Sequence, residues 1–323
     1  MKVAIWGPGA VGLGLASSLA DSEGRLRILG RSAETLADLE SHGIQRTGLF
    51  GDVRVPPERL AIESSTGTLA EDPPDWLLIC TKAFSCGEIA RTLEPIAGEL
   101  TMRTRLLLCQ NGWGNERPFL EFWPQQRLFH ARIITGFHRR SPHQVEITAH
   151  AAPIALGSIF GAHDDALGRL AERISAGGIP TQTTTDMRGV LWGKMLYNCA
   201  LNPLGAIAGR RYGELVDDPT TRALLEEVVR ETFVVLDAAR VEVAWPNATA
   251  YLETLYSRLI PPTAAHESSM LQDLRAGRPT EIDALCGAVE RLGSEHEIAT
   301  PVVSALAALV RAAERGPVRP EGG

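Results

Sequence analysis

Short apolar runs bounded by turn-forming residues recur through the first half of the chain, near 2–6, 26–29, 76–80 and 105–109. They alternate with helical or loop segments, which predicts a parallel α/β sheet. Asp75-Trp76-Leu77-Leu78-Ile79-Cys80 and Arg105-Leu106-Leu107-Leu108-Cys109 lack polar alternation, the pattern of central strands covered on both faces. Two shorter runs, Val145–Thr148 and Ile154–Leu156, read as a later hairpin. Beyond about residue 185 the apolar period becomes helical, over 188–201, 220–240, 247–259, 266–276, 280–296 and 300–315. Thr280 is expected to cap the fifth of these, with Asp283 three residues on as in a capping box. The pattern therefore predicts an α/β domain over 1–184 followed by an all-helical domain over 185–323. Gly316 to Gly323, rich in Pro and Gly, reads as a frayed end.

The first strand, Lys2-Val3-Ala4-Ile5-Trp6, runs straight into Gly7-Pro8-Gly9-Ala10-Val11-Gly12, and Ala16, Leu19 and Ala20 continue at helical spacing. This is G-x-G-x-x-G between a strand and a helix, the context that marks a Rossmann-type dinucleotide site. Gly7 permits the turn, Gly9 lets backbone approach a pyrophosphate, and Gly12 lets the helix pack closely on the strand. The helix N-terminus then offers free N–H groups and the positive end of its dipole to phosphate.

The second strand, Leu26-Arg27-Ile28-Leu29, ends in Gly30-Arg31-Ser32. An NAD site places an acid here to bind the ribose 2′-hydroxyl. This chain places Arg31 instead, whose guanidinium suits a 2′-phosphate, with Ser32 as a second donor. The expected cofactor is NADPH (NADP+). The competing reading is an arginine solvated at the start of the next helix.

Residues 191–203, Leu-Trp-Gly-Lys-Met-Leu-Tyr-Asn-Cys-Ala-Leu-Asn-Pro, read as an apolar helix with one polar stripe. Lys194, Asn198 and Asn202 are spaced i, i+4, i+8 and fall within an arc of about 80°. A helix apolar on nearly every side belongs inside, so the Lys194 ammonium is expected to be largely buried. Burial pushes an ammonium toward proton exchange near neutral pH, which suits a general acid for carbonyl reduction. The bland alternative is a lysine snorkelling at the edge of a core helix.

Two loops that follow buried strands carry polar residues where ligands bind in such sheets: Thr81-Lys82-Ala83 and Gln110-Asn111-Gly112-Trp113-Gly114. Lys82 reads as facing phosphate and Asn111 as meeting both a ribose and a substrate carboxylate, or each as an ordinary polar loop residue. In the second half, His266 to Asp273 reads as a helix with Ser269 and Asp273 on one face. Glu281 reads either as a first-turn carboxylate favoured by the helix dipole or as a buried partner of Lys194; spacing leaves both open.

Composition narrows the partners. With 32 Lys+Arg against 39 Asp+Glu the net charge is −7, which argues against nucleic acid or an anionic membrane. Hydrophobic content of 44% and charged content of 22% are those of a globular protein. No apolar run approaches a membrane span, and the N-terminus reads as a strand rather than a signal peptide. Cys80, Cys86, Cys109, Cys199 and Cys286 are scattered without metal-site spacing, so no metal and a cytoplasmic location are expected. Val302, Val303, Leu306, Leu309 and Val310 read as core or as a dimer contact, leaving monomer and homodimer open.

These motifs together resemble the ketopantoate reductases (2-dehydropantoate 2-reductases) along nearly the whole chain. The matching segments are Gly7 to Gly12, Thr81-Lys82-Ala83, Gln110-Asn111-Gly112, Leu191-Trp192-Gly193-Lys194 through Asn198 to Asn202-Pro203, and Ser269 to Asp273 through Thr280 to Asp283. The resemblance implies a Rossmann domain followed by a helical domain, and NADPH-dependent reduction of 2-dehydropantoate to pantoate in pantothenate and coenzyme A biosynthesis. It implies Lys194 as proton donor and Glu281 as the holder of Lys194 or of the substrate hydroxyl. Asn111, Asn198, Asn202 and Ser269 would bind substrate, and Arg31 and Lys82 the cofactor. The chain departs from many relatives in carrying Tyr212 before Gly213-Glu214-Leu215, and His266 three residues before Ser269. A paralogue acting on another small 2-oxo acid, or an NADPH-binding sensor without catalysis, are the alternatives.

Overall fold

In the computed structural model, residues 1–20 and 24–316 are described, so the predicted frayed end beyond Gly316 lies outside the described residues. Two compact units form, one from Met1–Asn111 and Asn115–Met187, the other from Gly112–Gly114 and the chain from Arg188 onward.

The first unit holds twelve strands among its described residues. They are β1 Val3–Trp6, β2 Leu26–Leu29, β3 Ile44–Gly48, β4 Val53–Val55, β5 Leu60–Glu63, β6 Trp76–Ile79, β7 Arg105–Leu108, β8 Leu128–Arg132, β9 Thr135–Ser141, β10 Gln144–His150, β11 Ile154–Gly157 and β12 Thr181–Thr183. Its helices are α1 Ala10–Leu19, α2 Ala33–His42, α3 Gly67–Glu71, α4 Cys86–Leu93, α5 Ala97–Arg103 and α6 Asp165–Ala176. Eight strands form one sheet in the order β12-β11-β8-β7-β6-β1-β2-β5. Neighbours in it are parallel except β8 and β11. Because β1 lies between β2 and β6, the winding reverses there, and ligands bind at the carboxyl ends of strands beside such a reversal.

Successive residues of the central strands feed opposite faces. Val3 and Ile5 of β1 join Trp76 and Leu78 of β6 in one cluster, while Ala4, Trp6, Leu77 and Ile79 join the other. Both faces are covered, which is why these strands read as unbroken apolar runs. A second sheet, β4-β3-β10-β9, packs into the first cluster through Ile44, Val55, Val145 and Ile147. Helix α1 lies between the two sheets, and every residue from Gly12 to Leu19 is buried. A Cβ on Gly14 would come within 2.2 Å of the Phe137 ring of β9, so the small sheet can close on α1 only over a glycine.

The expected hairpin of Val145–Thr148 with Ile154–Leu156 is replaced by a different pairing. β10 pairs antiparallel with β9, whereas β11 lies in the large sheet beside β8. The burial patterns separate the two runs: β10 alternates over its first half, while β11 is buried throughout. The true partner, Thr-Gly-Phe-His-Arg-Arg-Ser, contains one apolar side chain and gives no strand pattern.

Asp164 caps α6, its Oδ1 accepting from the Ala166 N–H at 2.8 Å, and is also paired with Arg105 of β7. Burial pushes this carboxyl up, but the bonds from Arg105 and Ala166 outweigh it and hold the carboxyl below its usual value. The stabilisation is therefore full above the unfolded-state value near 3.8 and is lost as pH falls through the lower folded value. Asp164→Asn keeps a capping oxygen and loses the ion pair. Urea midpoints at about pH 6 and about pH 3 should differ less in this variant than in the parent, and an equal difference would contradict the assignment.

In the second unit all described regular structure is helical: α7 Met187–Ala208, α8 Tyr212–Asp217, α9 Pro219–Ala238, α10 Ala248–Thr254, α11 Ser269–Arg275, α12 Cys286–Glu295 and α13 Pro301–Glu314. A π-helical turn, Leu255–Leu259, extends α10. Trp192, Met195, Leu196 and Cys199 of α7 pack with Val228 and Val229 of α9 and Val303, Leu306 and Val310 of α13. Leu309, in contrast, is 51% exposed. No helix among the described residues is long and apolar enough to cross a membrane.

Helix α7 runs past the expected stop at residue 201, through Pro203, to Ala208. A proline inside a helix leaves the carbonyl four residues back without its amide partner. That carbonyl belongs to Cys199, and the Cys286 thiol donates to it at 3.9 Å.

Two helix starts also move. The helix expected from His266 begins at Ser269, with Ser268 Oγ capping it by accepting from the Leu271 N–H at 3.0 Å. The helix expected from Thr280, with its capping box, begins only at Cys286. Thr280 donates its N–H to Glu314 Oε1 at 2.7 Å, and its Oγ1 accepts from the Ile282 N–H at 3.2 Å. These bonds hold 280–285 as a turn, and Leu285 at φ −98°, ψ −99° lies outside the helical region.

Candidate functional site

In the first unit the glycine turn follows β1 at the winding reversal. Gly7 has φ +104°, and a Cβ there would lie 2.7 Å from Thr81 Cγ2. A Cβ on Gly12 would lie 2.1 Å from the Gly7 carbonyl oxygen. The fold itself thus demands these two glycines. Gly9 differs, because nothing lies within 4 Å of its Cβ position. It is the N-cap of α1, and no side chain caps that helix end. An open glycine before an uncapped helix start is a cradle for phosphate, so these residues fit the pyrophosphate of a dinucleotide. Pro8, Ala10 and Val11 complete the turn and are partly buried.

Lys82 and Asn111 follow β6 and β7 and are partly buried. Asn115 Nδ2 donates to the Asn111 carbonyl at 3.0 Å and fixes that loop. Thr81 Oγ1 and both amide atoms of Gln110 are buried without a hydrogen-bond partner in the protein. Buried polar atoms left unpaired are costly, and their place at the carboxyl ends of β6 and β7 is that of ligand-binding groups. Arg31 is exposed and its Nη1 donates to Glu88 Oε2 of α4 at 2.6 Å. Ser32 caps α2, its Oγ accepting from the Thr35 N–H at 3.2 Å, so its hydroxyl hydrogen remains available to donate. Glu88 gave no signal in the sequence, because nothing local relates residues 31 and 88.

In the second unit, Lys194, Asn198 and Asn202 form the stripe along α7. Asn198 and Asn202 are 9% and 6% exposed, and Lys194 is partly buried. The apolar flanks of α7 bury against the core. Asn202 Oδ1 accepts from the Tyr212 hydroxyl at 2.6 Å, so the Nδ2 hydrogens are what Asn202 can offer a ligand. Burial, together with the nearby Tyr197, pushes the Tyr212 phenol far above its ordinary value, so Tyr212 acts there as a neutral donor.

Tyr212 also packs edge-on to Tyr197, with ring centroids 5.6 Å apart, and lies 5.1 Å from the His266 ring. Desolvation draws the His266 imidazole below its usual value, with Glu267 opposing, so it is mainly neutral at pH 7. The Tyr197 hydroxyl shares a 2.7 Å hydrogen bond with Thr263 Oγ1. The two departures noted in the sequence are therefore one aromatic cluster beside Asn202.

Ser269 is exposed at the start of α11. Asp273, one turn on, is 5% exposed and held by Arg278 Nε at 3.0 Å and Nη2 at 2.9 Å. Glu281 is 7% exposed and lies in the turn before α12, not in its first helical turn. The reading of Glu281 as a dipole-stabilising helix residue is thereby removed. Gly112 packs on the same turn: its φ is +95°, a Cβ would meet the Ala284 oxygen at 2.3 Å, and the Trp113 N–H donates to that oxygen at 2.9 Å.

Comparison with known proteins agrees with this architecture. Residues 3–160 match the family model "Ketopantoate reductase PanE/ApbA", and residues 186–314 match "Ketopantoate reductase PanE/ApbA C terminal". The chain is 33% identical to 2-dehydropantoate 2-reductase of Aquifex aeolicus, over 97% of each chain. It superposes on a PanE/ApbA family ketopantoate reductase from Ralstonia eutropha JMP134 with a TM-score of 0.82 at 27% identity, covering 98% of this chain and 99% of that one. A ternary complex of D-mandelate dehydrogenase with NADH and anilino(oxo)acetate gives the same TM-score at 26% identity and the same coverage. The chain belongs to the ketopantoate reductase family of oxidoreductases.

Proposed function

We propose that this protein reduces 2-dehydropantoate to pantoate with NADPH, with Lys194 as the general acid. The observation that carries the reading is the stripe Lys194–Asn198–Asn202 on an otherwise apolar helix, in a chain of this family. Held by the glycine turn, NADPH would supply the hydride for the 2-oxo carbon. Negative charge then grows on the carbonyl oxygen, and the Lys194 ammonium gives it a proton to form the hydroxyl. A donor placed where charge develops contributes about 3–4 kcal/mol. Lys194, partly open to solvent, then regains its proton from water. Glu281 holds that ammonium or the substrate hydroxyl. Asn111, Asn198, Asn202 and Ser269 orient the small 2-oxo acid, and the Asn202 amide hydrogens suit its carboxylate. Gly7, Pro8, Gly9, Ala10, Val11 and Gly12 carry the pyrophosphate, Arg31 the 2′-phosphate, and Lys82 with Asn111 the rest of the dinucleotide.

A second reading rests on the cluster of Tyr197, Tyr212 and His266. It favours a 2-oxo acid with an aromatic substituent, and a neighbour of similar fold is D-mandelate dehydrogenase. A panel of 2-oxo acids, each assayed for NADPH oxidation, separates the readings. The highest kcat/KM is expected for 2-dehydropantoate. Preference for 2-oxo-2-phenylacetate would select the second reading, and NADPH binding without turnover of any acid would leave a sensor.

A further inference from the structure

We infer that the first unit carries a Zn2+ site made by Asp38, His42 and His143, which clips α2 to the turn between β9 and β10. Asp38 and His42 stand one turn apart on α2, and His143 lies in that turn, more than a hundred residues away in sequence. The Asp38 carboxylate bridges both imidazoles: Oδ2 is 2.5 Å from His143 Nδ1 and Oδ1 is 3.1 Å from His42 Nδ1. The two rings stack at 4.7 Å with their planes 19° apart. One donor atom from each residue lies within 4.8 Å of the others.

A tetrahedral zinc with bonds of about 2.0–2.2 Å needs donors roughly 3.3 Å apart, so closing the set requires modest rotation. The His42 side chain is 57% exposed, which leaves a path for the ion, and the rotation gives up the 3.1 Å contact of its Nδ1 with the Asp38 carbonyl. His143 is held in place by its own carbonyl, which accepts from the Gln45 N–H of β3 at 2.9 Å. Two imidazoles with one carboxylate select zinc and its borderline neighbours over Mg2+ or Ca2+, which prefer all-oxygen sets. The neighbouring cation is Arg139, which Asp38 and Glu34 attract, and it is turned to Thr35 Oγ1 at 3.0 Å and to the carbonyls of Ser141 and Pro142. Its charge weakens the site without occupying it. A clip between residues so distant in sequence closes a long loop, the case in which a cross-link constrains the unfolded chain most.

The test uses untagged full-length protein freed of metal with a chelator. Co2+ titration should produce visible d–d absorption saturating at one ion per chain, and Zn2+ should displace it and raise the melting temperature. His42→Ala and His143→Ala should each weaken binding at least about tenfold and abolish the thermal shift. His42 is exposed, so its variant tests the site even if His143→Ala folds poorly. Absence of Co2+ absorption and of a zinc-dependent thermal shift, or unchanged affinity in His42→Ala, would overturn the inference.

Discussion

Replacing Lys194 with alanine should lower kcat with the preferred 2-oxo acid at least about 100-fold, the usual worth of a general acid. KM for the acid should change less, because the interaction strengthens as charge grows on the oxygen in the transition state. The unfolding midpoint should stay near that of the parent, since Lys194 is partly exposed on a helix whose core contacts come from Trp192, Met195, Leu196 and Cys199. Lys194→Arg should recover only part of the loss: it restores the charge, but a guanidinium does not release a proton near neutral pH. Near-normal turnover in Lys194→Ala would remove the residue from the mechanism.

The second large effect concerns cofactor choice. Arg31→Ala should raise KM for NADPH by about 10- to 100-fold and leave KM for NADH within about twofold, because charge-assisted hydrogen bonds are worth roughly 1.5–3 kcal/mol. The ion pair with Glu88 adds an opposite test. Glu88 competes with a phosphate for the guanidinium, so Glu88→Gln should lower KM for NADPH by about two- to fivefold, in keeping with an exposed pair. Steady-state kinetics with both cofactors read both variants. Equal effects on NADPH and NADH would return Arg31 to an arginine solvated at the head of α2.

What the sequence revealed follows the physics of burial. β1, β2, β6 and β7 are covered on both faces, so they read as apolar runs and stood out. β9 has Phe137 as its one apolar side chain, so the small sheet carries no clear pattern, and β12, Thr-Gln-Thr, is equally silent at the edge of the large one. The small sheet's trace in the sequence is indirect: α1 is apolar apart from Ser17 and Ser18, because two sheets cover it. In the second unit the helical period was plain, but tertiary bonds moved its boundaries. Glu314 and the Thr280 hydroxyl keep Glu281 in a turn, and α7 continues through Pro203, where the Cys286 thiol meets the freed Cys199 carbonyl.

The candidate site divides the same way. The glycine turn and the α7 stripe are local patterns and were legible. The Tyr212–Asn202 bond, the Arg31–Glu88 pair and the contact of His143 with Asp38 of α2 join residues from separate elements, which spacing along the chain does not encode.

The most direct test of hydride transfer with Lys194 as proton donor is isotopic. The protein is incubated with 2-dehydropantoate and NADPH deuterated at the nicotinamide C4 hydride position, and the product is weighed by mass spectrometry. Pantoate one mass unit heavier is expected, with deuterium at C2, formed at least about 100-fold more slowly by Lys194→Ala. Pantoate without deuterium, no product from this acid, or equal rates for the two proteins would contradict it.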